Sequence, residues 1–410
     1  MKILQVNNVY RIGSTGKIMY DIHQEILMQE MNSIVCYGRG VSCYDKDVYK
    51  ISKELYSKIN HFWANLSGLM YGGCFFSTRK LKKIIAKEEP DIVHLQCING
   101  YFLNIYKLIE WLKKKRIKTV LTLHAEFMYT GNCGHALECE KWKSGCGNCP
   151  RLKQETGSYF FDRTRESWNR MKKAFDGFNN DLLVVSVSPW VMERAKQSPI
   201  LANKNHKVIL NGLDTNIFKF YNTKTLERKY VSNQKIIFHA TPYFTDDKNH
   251  LKGGYYVIKL AKILTKENIK FLIAGKFKNN MKLPSNITLL GEIKSQIQLA
   301  KYYSMADITI LTSKKETFSM ITAESLCCGT PVIGFKAGGP EQIALKEYTE
   351  FVAYSDTKEL KKVTLEFLSK NFSKEKISQK AIEKYDKKIM NMNYIDTYNE
   401  FLKCGFEKKG

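Results

Sequence analysis

Two glutamates, Glu316 and Glu324, stand eight positions apart in the stretch LTSKKETFSMITAESLCCGTPVIGFKAGGPE at 311–341. A strand is expected to end at Leu311 and a helix to run from about Phe318 to Gly329, with Pro331 opening the next strand. The free N–H groups of Phe318, Ser319 and Met320 at that helix start form an anion site able to hold a diphosphate. Glu316 then lies just before the helix and Glu324 roughly two turns inside it. An ionised carboxylate only accepts hydrogen bonds, so beside an anion site it suits ribose and sugar hydroxyls rather than phosphate. A glutamate pair at this spacing is ordinarily a solvated helix face; the flanking turn, the anion site and the CGTP strand start weigh against that.

Three further groups have chemistry in reach. Lys252-Gly253 forms a turn before an apolar helical pattern, Tyr255–Leu264, which makes Lys252 either a phosphate-binding cation or one more surface lysine. His124 follows the apolar run Thr119–Leu123, at the strand end where doubly wound sheets place their ligands; His94 has the same setting and reads rather as structural or acceptor-side. Cys146-Gly147-Asn148-Cys149 is a CxxC turn of the zinc-chelating kind, with Cys133 and Cys139 upstream and His135 as a fifth candidate ligand. A structural zinc on Cys133, Cys139, Cys146 and Cys149 is one reading; four buried reduced thiols, or a redox-sensitive pair, are the other. A four-thiolate site would be closed, and so not catalytic.

These residues need a scaffold, and the chain supplies alternating short apolar runs and helical patterns. Ile3–Val6, Ile34–Tyr37, Ile92–Leu95, Thr119–Leu123 and Leu183–Val187 read as parallel strands buried on both faces, with helices such as Lys17–Gln29, Leu103–Lys115 and Trp190–Lys196 between them. The pattern restarts with Lys235–Ala240, Lys270–Ala274, Asn286–Leu289, Asp307–Leu311, Pro331–Phe335 and Phe351–Ala353, after the turn cluster Asn211-Gly212-Leu213-Asp214. The expected fold class is α/β, with two Rossmann-like doubly wound domains facing across a cleft. The boundaries fall at 1–207 and 208–388, followed by a helix at 389–410 whose aromatic-apolar period suits packing back on the first domain.

Composition narrows the partners. The 410 residues carry 65 Lys+Arg against 40 Asp+Glu, a net charge of +25, which calls for an anionic partner: nucleic acid, a phosphate-bearing substrate or an anionic membrane face. RNP-like and helix-turn-helix signatures are absent, which disfavours nucleic acid, and no G-x-G-x-x-G marks a dinucleotide dehydrogenase. The longest uncharged window, Ile59–Thr78, is too polar to span a bilayer and reads as a buried or interfacial helix plus loop. MKILQVNN opens the chain without an apolar signal region, so cysteines are expected reduced and the protein cytoplasmic. The basic runs Arg79–Lys83 and Lys113–Lys118, near Trp63, Tyr71, Phe75 and Phe76, read as solvated helix faces or as a dock for anionic lipid on the inner face of the cell membrane.

The ordered set of motifs resembles the family 4 glycosyltransferases, retaining enzymes of the two-domain GT-B fold. The set comprises Gly13-Ser14-Thr15-Gly16-Lys17, PDIVHLQ at 90–96, TLH at 122–124, VSPW at 187–190, ILNGLDTNIF at 209–218, Lys252-Gly253, the two glutamates with CGTPVIGF, and Gly338-Gly339. Residues 122–152 further resemble a subgroup acting in bacterial exopolysaccharide and capsule synthesis. The resemblance implies that 1–207 binds the acceptor and 208–388 the nucleotide-sugar donor. It implies that Glu324 binds the nucleotide ribose, Glu316 the sugar hydroxyls and Lys252 the diphosphate. Gly16 would allow close approach to phosphates or acceptor, and His124 would face the sugar near its anomeric carbon. A lysine and a helix N-terminus can stabilise the leaving diphosphate with no catalytic metal. Many relatives carry an arginine shortly before the Lys-Gly pair; here Lys248 is the nearest substitute, and it cannot reproduce a bidentate guanidinium contact. The expected activity is transfer of a hexosyl group, with retention, from a nucleoside-diphosphate sugar to a glycan or lipid-linked acceptor. Another GT-B enzyme, a nucleotide-sugar epimerase or a phosphorylase, is the second reading, and a basic nucleic-acid-binding protein the third.

Overall fold

The apolar runs become parallel strands because each is covered on both faces and has no solvent side to supply with polar residues. Residues 1–223 and 234–403 are described in the computed structural model. They divide into two units, one formed by Met1–Leu210 with the chain from Met390 onward, the other by Asn211–Ile389.

The first unit runs β1 (Lys2–Asn7), α1 (Gly13–Met28), β2 (Asn32–Tyr37), β3 (Val48–Lys50), α2 (Glu54–Ser67), α3 (Phe75–Glu88), β4 (Ile92–Leu95), α4 (Ile105–Lys114), β5 (Thr119–Leu123), α5 (Leu152–Thr156), α6 (Thr164–Phe175), β6 (Leu182–Ser186), α7 (Pro189–Gln197) and β7 (Asn205–Val208). Its sheet is parallel with order β3-β2-β1-β4-β5-β6-β7, so the winding direction reverses between β1 and β4. The second unit runs β8 (Lys235–Phe244), α8 (Gly254–Ile263), β9 (Ile269–Phe277), β10 (Ile287–Gly291), α9 (Gln296–Met305), β11 (Ile308–Leu311), α10 (Met320–Cys327), β12 (Val332–Phe335), α11 (Gly339–Ile343), β13 (Thr349–Val352), α12 (Thr357–Ser369) and α13 (Lys374–Tyr385). Its six parallel strands are ordered β10-β9-β8-β11-β12-β13, with the reversal between β8 and β11. Both are doubly wound sheets, whose ligands bind beyond the strand carboxyl ends at the reversal. The edge strands β3 and β7 were not expected from the sequence. They are three and four residues long, and β7, Asn-His-Lys-Val, lacks an apolar run.

The final helix, α14 (Lys387–Lys403), belongs to the first unit for most of its length. Met390, Tyr394, Ile395 and Tyr398 complete the core built by Ile3, Ile92, Val120 and Val185 from the strands and Ile18 and Ile22 from α1. Polar contacts fix its register. The Tyr398 hydroxyl lies 2.8 Å from His94 Nδ1, Thr122 Oγ1 lies 2.8 Å from His94 Nε2, and the Tyr394 hydroxyl is 3.0 Å from Thr122 Oγ1. Burial pushes the His94 imidazole down to about 3, so it is neutral there. His94 is therefore structural. Where the chain enters and leaves the second unit its segments pair, Leu213 N–H donating to Tyr385 C=O and Lys387 N–H to Leu213 C=O, each at 2.9 Å.

Helix α2 inverts the usual amphipathic rule. Its small residues Ser57 and Ala64 are buried, while Leu55, Ile59, Phe62 and Trp63 face water. No helix among the described residues is long and apolar enough to cross a membrane.

Candidate functional site

In the second unit the loops after β8 and β11, the two strands at the winding reversal, meet. Gly253 caps α8 with φ +67°, and a Cβ there would come within 2.0 Å of the Thr312 carbonyl oxygen, so only glycine fits. Thr312 Oγ1 donates to the carbonyls of Lys252 (3.2 Å) and Gly253 (3.0 Å), and Lys314 N–H donates to Leu251 C=O at 2.8 Å. These bonds bring the Lys252 ammonium to 2.6 Å from Glu316 Oε1, across 64 positions of sequence.

Glu316 is held by its backbone as well. Its N–H donates to Ala337 C=O and its C=O accepts from Gly339 N–H, both at 2.9 Å. A Cβ on Gly339 would come within 2.4 Å of the Thr317 carbonyl oxygen, so this close approach requires glycine there, and Gly338 before it holds φ +105°. Glu341 secures the other side, accepting from Ala337 N–H at 3.0 Å and Gly338 N–H at 2.9 Å.

Helix α10 starts at Met320, two residues later than expected, because Ser319 is its cap and holds φ +79°. Ser319 Oγ accepts from Thr322 N–H at 3.3 Å. Of the three expected anion-binding N–H groups, Met320 opens the helix, Ser319 caps it, and Phe318 precedes it with its ring buried. Glu324 projects from α10, half-buried, and its Oε2 accepts from the Tyr303 hydroxyl of α9 at 3.1 Å. Burial and the Glu324 charge push the Tyr303 phenol well up, so it stays a donor. Sequence reasoning missed Tyr303; its position inside a helical apolar pattern carries no mark of a hydroxyl turned to a carboxylate. Lys248 lies exposed in the turn between β8 and α8.

In the first unit, Gly16 sits inside the first turn of α1 rather than in the loop before it. A Cβ there would meet Val9 Cγ2 at 3.1 Å and the Arg11 nitrogen at 3.3 Å, and its carbonyl accepts from Arg11 N–H. Gly16 thus lets the 9–11 loop fold onto the helix start. His124 follows β5, half-buried, with its imidazole pushed down to about 4 by burial. The segment after it is anchored by a carboxylate that the sequence did not single out. Glu126, fully buried, accepts from Arg194 Nε (2.6 Å), the Tyr129 hydroxyl (2.9 Å) and Ala136 N–H (2.7 Å). Arg194 in turn lies over the rings of Trp142 (4.8 Å) and Trp190 (4.9 Å).

The sequence leaves the cysteine group open between a structural zinc and reduced thiols. Among the described residues no group of three or more His, Cys, Asp or Glu is arranged to hold a metal ion. Cys133 and Cys146 are buried and Cys139 and Cys149 half-buried, all as free cysteines. Burial raises the Cys133 and Cys149 thiols and takes Cys146 up to about 11. Aromatic side chains tie the segment together, Trp142 Nε1 donating to Cys139 C=O and Trp168 Nε1 to Trp142 C=O.

Two family models match the chain, Glycosyltransferase Family 4 over residues 45–217 and Glycosyl transferases group 1 over residues 244–384. A putative colanic acid biosynthesis glycosyl transferase, WcaC of Escherichia coli K12, is 21% identical over 377 residues, covering 88% of this chain and 89% of that protein. Among solved structures, sucrose-phosphate synthase from Thermosynechococcus elongatus superposes with a TM-score of 0.66 at 13% identity, covering 98% of this chain and 100% of that one. Anabaena Alr3699/HepE in complex with UDP gives 0.64 at 16% identity, with the same coverage of 98% and 100%.

Proposed function

This chain belongs to the family 4 glycosyltransferases of GT-B fold, and from that premise we propose that it moves a hexosyl group from a nucleoside-diphosphate sugar to a glycan or lipid-linked acceptor with retention, in cell-surface polysaccharide synthesis. The observation that carries the reading is the Lys252–Glu316 pair at the winding reversal of the second sheet. Breaking a sugar–phosphate bond gathers negative charge on the departing diphosphate, and a fixed cation beside a helix start stabilises that charge more than the ground state. In this reading the second unit binds the donor and the first the acceptor. Lys252, the N–H groups from Phe318 to Met320, and Lys248 in place of an arginine serve the diphosphate. Glu316 takes the sugar hydroxyls and Glu324 the ribose. Gly16 opens the backbone near phosphates or acceptor, and His124 meets the sugar near its anomeric carbon as a neutral imidazole, able to donate or accept a hydrogen bond.

Support for the donor class comes from the HepE complex with UDP, and for the pathway from the similarity to WcaC, a putative colanic acid biosynthesis glycosyl transferase. A lipid-linked acceptor places the enzyme peripherally on the inner membrane face. Incubation with a panel of UDP-, GDP- and ADP-sugars, followed by release of the nucleotide, tests the reading. One donor should be consumed and its turnover should fall in Glu324→Ala; turnover unchanged in that variant overturns the site.

A further inference from the structure

Three segments of the first unit bring large apolar side chains to one outer surface without covering them. Helix α2 contributes Phe62 and Trp63, the start of α3 Phe75 and Phe76, and the loop before α6 Phe160 and Phe161; all six are more than half exposed. The segments are tied together. Asn60 Oδ1 of α2 accepts from Cys74 N–H at 2.8 Å, and Phe76 N–H donates to the Tyr56 hydroxyl at 3.2 Å. At the other end of α2, Asn65 C=O accepts from Tyr159 N–H at 3.1 Å, and Gly68 lies so close to the Phe161 carbonyl oxygen that a Cβ would approach it to 2.2 Å. Water-facing aromatics on this scale mark an interaction surface.

The rim of the surface is cationic. Arg79, Lys80, Lys83 and Lys87 are exposed on α3. An open basin of about 660 Å³ between α2 and α3 is lined by Lys50, Lys53 and Lys80 together with Tyr56 and Phe76. The one carboxylate on that basin, Glu54, is already engaged by Arg39 Nη2 at 2.9 Å and Gly40 N–H at 2.7 Å. Tyr71, from the expected lipid-facing set, is buried; the half-buried Lys82 ammonium donates to the Lys107 carbonyl and the exposed Lys80 ammonium to the Lys50 carbonyl, each at 2.9 Å. The other basic run serves the fold, Lys113 donating to the Asp176 carbonyl and Lys118 to the end of α14.

We propose that this face of the first unit docks on an anionic phospholipid bilayer, with the six aromatic rings entering the interfacial zone and the lysines of α3 and the basin meeting the headgroups. Aromatic residues flanked by Lys and Arg are the signature of that zone. A second copy of the chain fits poorly, since a two-fold contact sets the lysines of one copy against those of the other. Protein interfaces are also depleted of lysine. The proposal extends the lipid-linked acceptor of the preceding reading, yet it is measured without turnover.

The test is flotation of the full chain with vesicles of phosphatidylcholine mixed with phosphatidylglycerol, against phosphatidylcholine alone, with the oligomeric state followed by sedimentation. Binding should require phosphatidylglycerol and weaken with salt. It should drop on the order of tenfold or more in Lys80→Glu/Lys83→Glu and in Phe62→Ser/Phe76→Ser, exposed positions whose change leaves donor hydrolysis intact. Trp63 fluorescence should be quenched by brominated lipid and the quenching lost in Trp63→Phe. Failure to bind the mixed vesicles, equal binding by both variants, or self-association abolished by Phe62→Ser/Phe76→Ser would overturn it. A protein that floats but consumes no donor sinks the reaction and leaves the surface standing; one that consumes donor and ignores vesicles does the reverse.

Discussion

Lys252 Nζ and Glu316 Oε1 are 2.6 Å apart, a cation and a carboxylate delivered by the two strands at which the second sheet reverses its winding. Their side chains are 30% and 15% exposed, which leaves the pair within reach of a ligand. In the absence of donor each satisfies the other. Under the proposed function a donor sugar would give Glu316 hydroxyl partners and its diphosphate would give Lys252 an anion, so the pair would hold the place of both ends of one substrate.

Lys252→Ala should therefore cut kcat on the order of 10²- to 10³-fold, the cost of removing one preorganised charge stabiliser, while leaving the unfolding midpoint nearly unchanged. Lys252→Arg should restore part of the rate. Steady-state kinetics beside a thermal melt separate the two effects; a large loss of stability in the alanine variant would recast the pair as structural.

Tyr303→Phe removes the hydroxyl that donates to Glu324 Oε2 at 3.1 Å and so loosens a carboxylate without deleting it. One hydrogen bond to a charged group contributes about 1.5–3 kcal/mol. The donor KM should rise roughly ten-fold or more with kcat little altered. A kcat loss with unchanged KM would place Tyr303 at the reacting bond instead.

Ser319 sits at φ +79°, where a β-carbon is strained by about 1–3 kcal/mol. Its capping bond to Thr322 N–H is long, at 3.3 Å, and a glycine cap costs only a few tenths of a kcal/mol. Strain outweighs capping, so Ser319→Gly should stabilise the second unit by about 1 kcal/mol. Denaturant unfolding giving a lower midpoint for the glycine variant would reverse that ordering.

Glu126→Ala strands the Arg194 guanidinium, whose side chain is 14% exposed, and should cost about 3–5 kcal/mol. Arg194→Met in the same chain should recover much of it, since the uncompensated charge goes with it. A double-mutant cycle on unfolding free energies reads the coupling, and additivity would show that the pair does not act as a unit.

Two buried imidazoles and one half-buried imidazole set an acid limit. Burial lowers His94 to about 3 and His124 and His239 to about 4, against 6.5 when unfolded. Because the unfolded chain binds these protons first, the neutral-state stability is complete above pH 6.5 and is lost as pH falls towards about 4. Each contributes a slope of up to about 1.4 kcal/mol per pH unit. Unfolding free energies measured across that window should fall less steeply in His239→Gln, and an unchanged slope would remove that residue from the set.

Periodicity was enough to read the doubly wound sheets, because strands buried on both faces leave continuous apolar runs, as Ile92–Leu95 and Ile308–Leu311 do. The glutamates and Lys252 were legible as types at a spacing. Their contact was not, since it depends on Thr312 stitching one loop to another across the sheet. Glu126 and Tyr303 were invisible for a different reason: a buried polar group inside an apolar pattern declares itself only through its partners.

The return of α14 to the first unit has a consequence for biosynthesis. Ribosomes emit the strands of that unit early, yet Met390, Tyr394 and Tyr398, which close its core, emerge only after the whole of Asn211–Ile389. At ordinary elongation rates this delay is roughly 10 to 35 seconds. Throughout it Ile3, Ile92 and Val120 lack their cover and His94 its tyrosine partner, so the domain that is translated first is the last to mature. The nascent chain therefore presents a chaperone with an apolar face for as long as the second unit is being made.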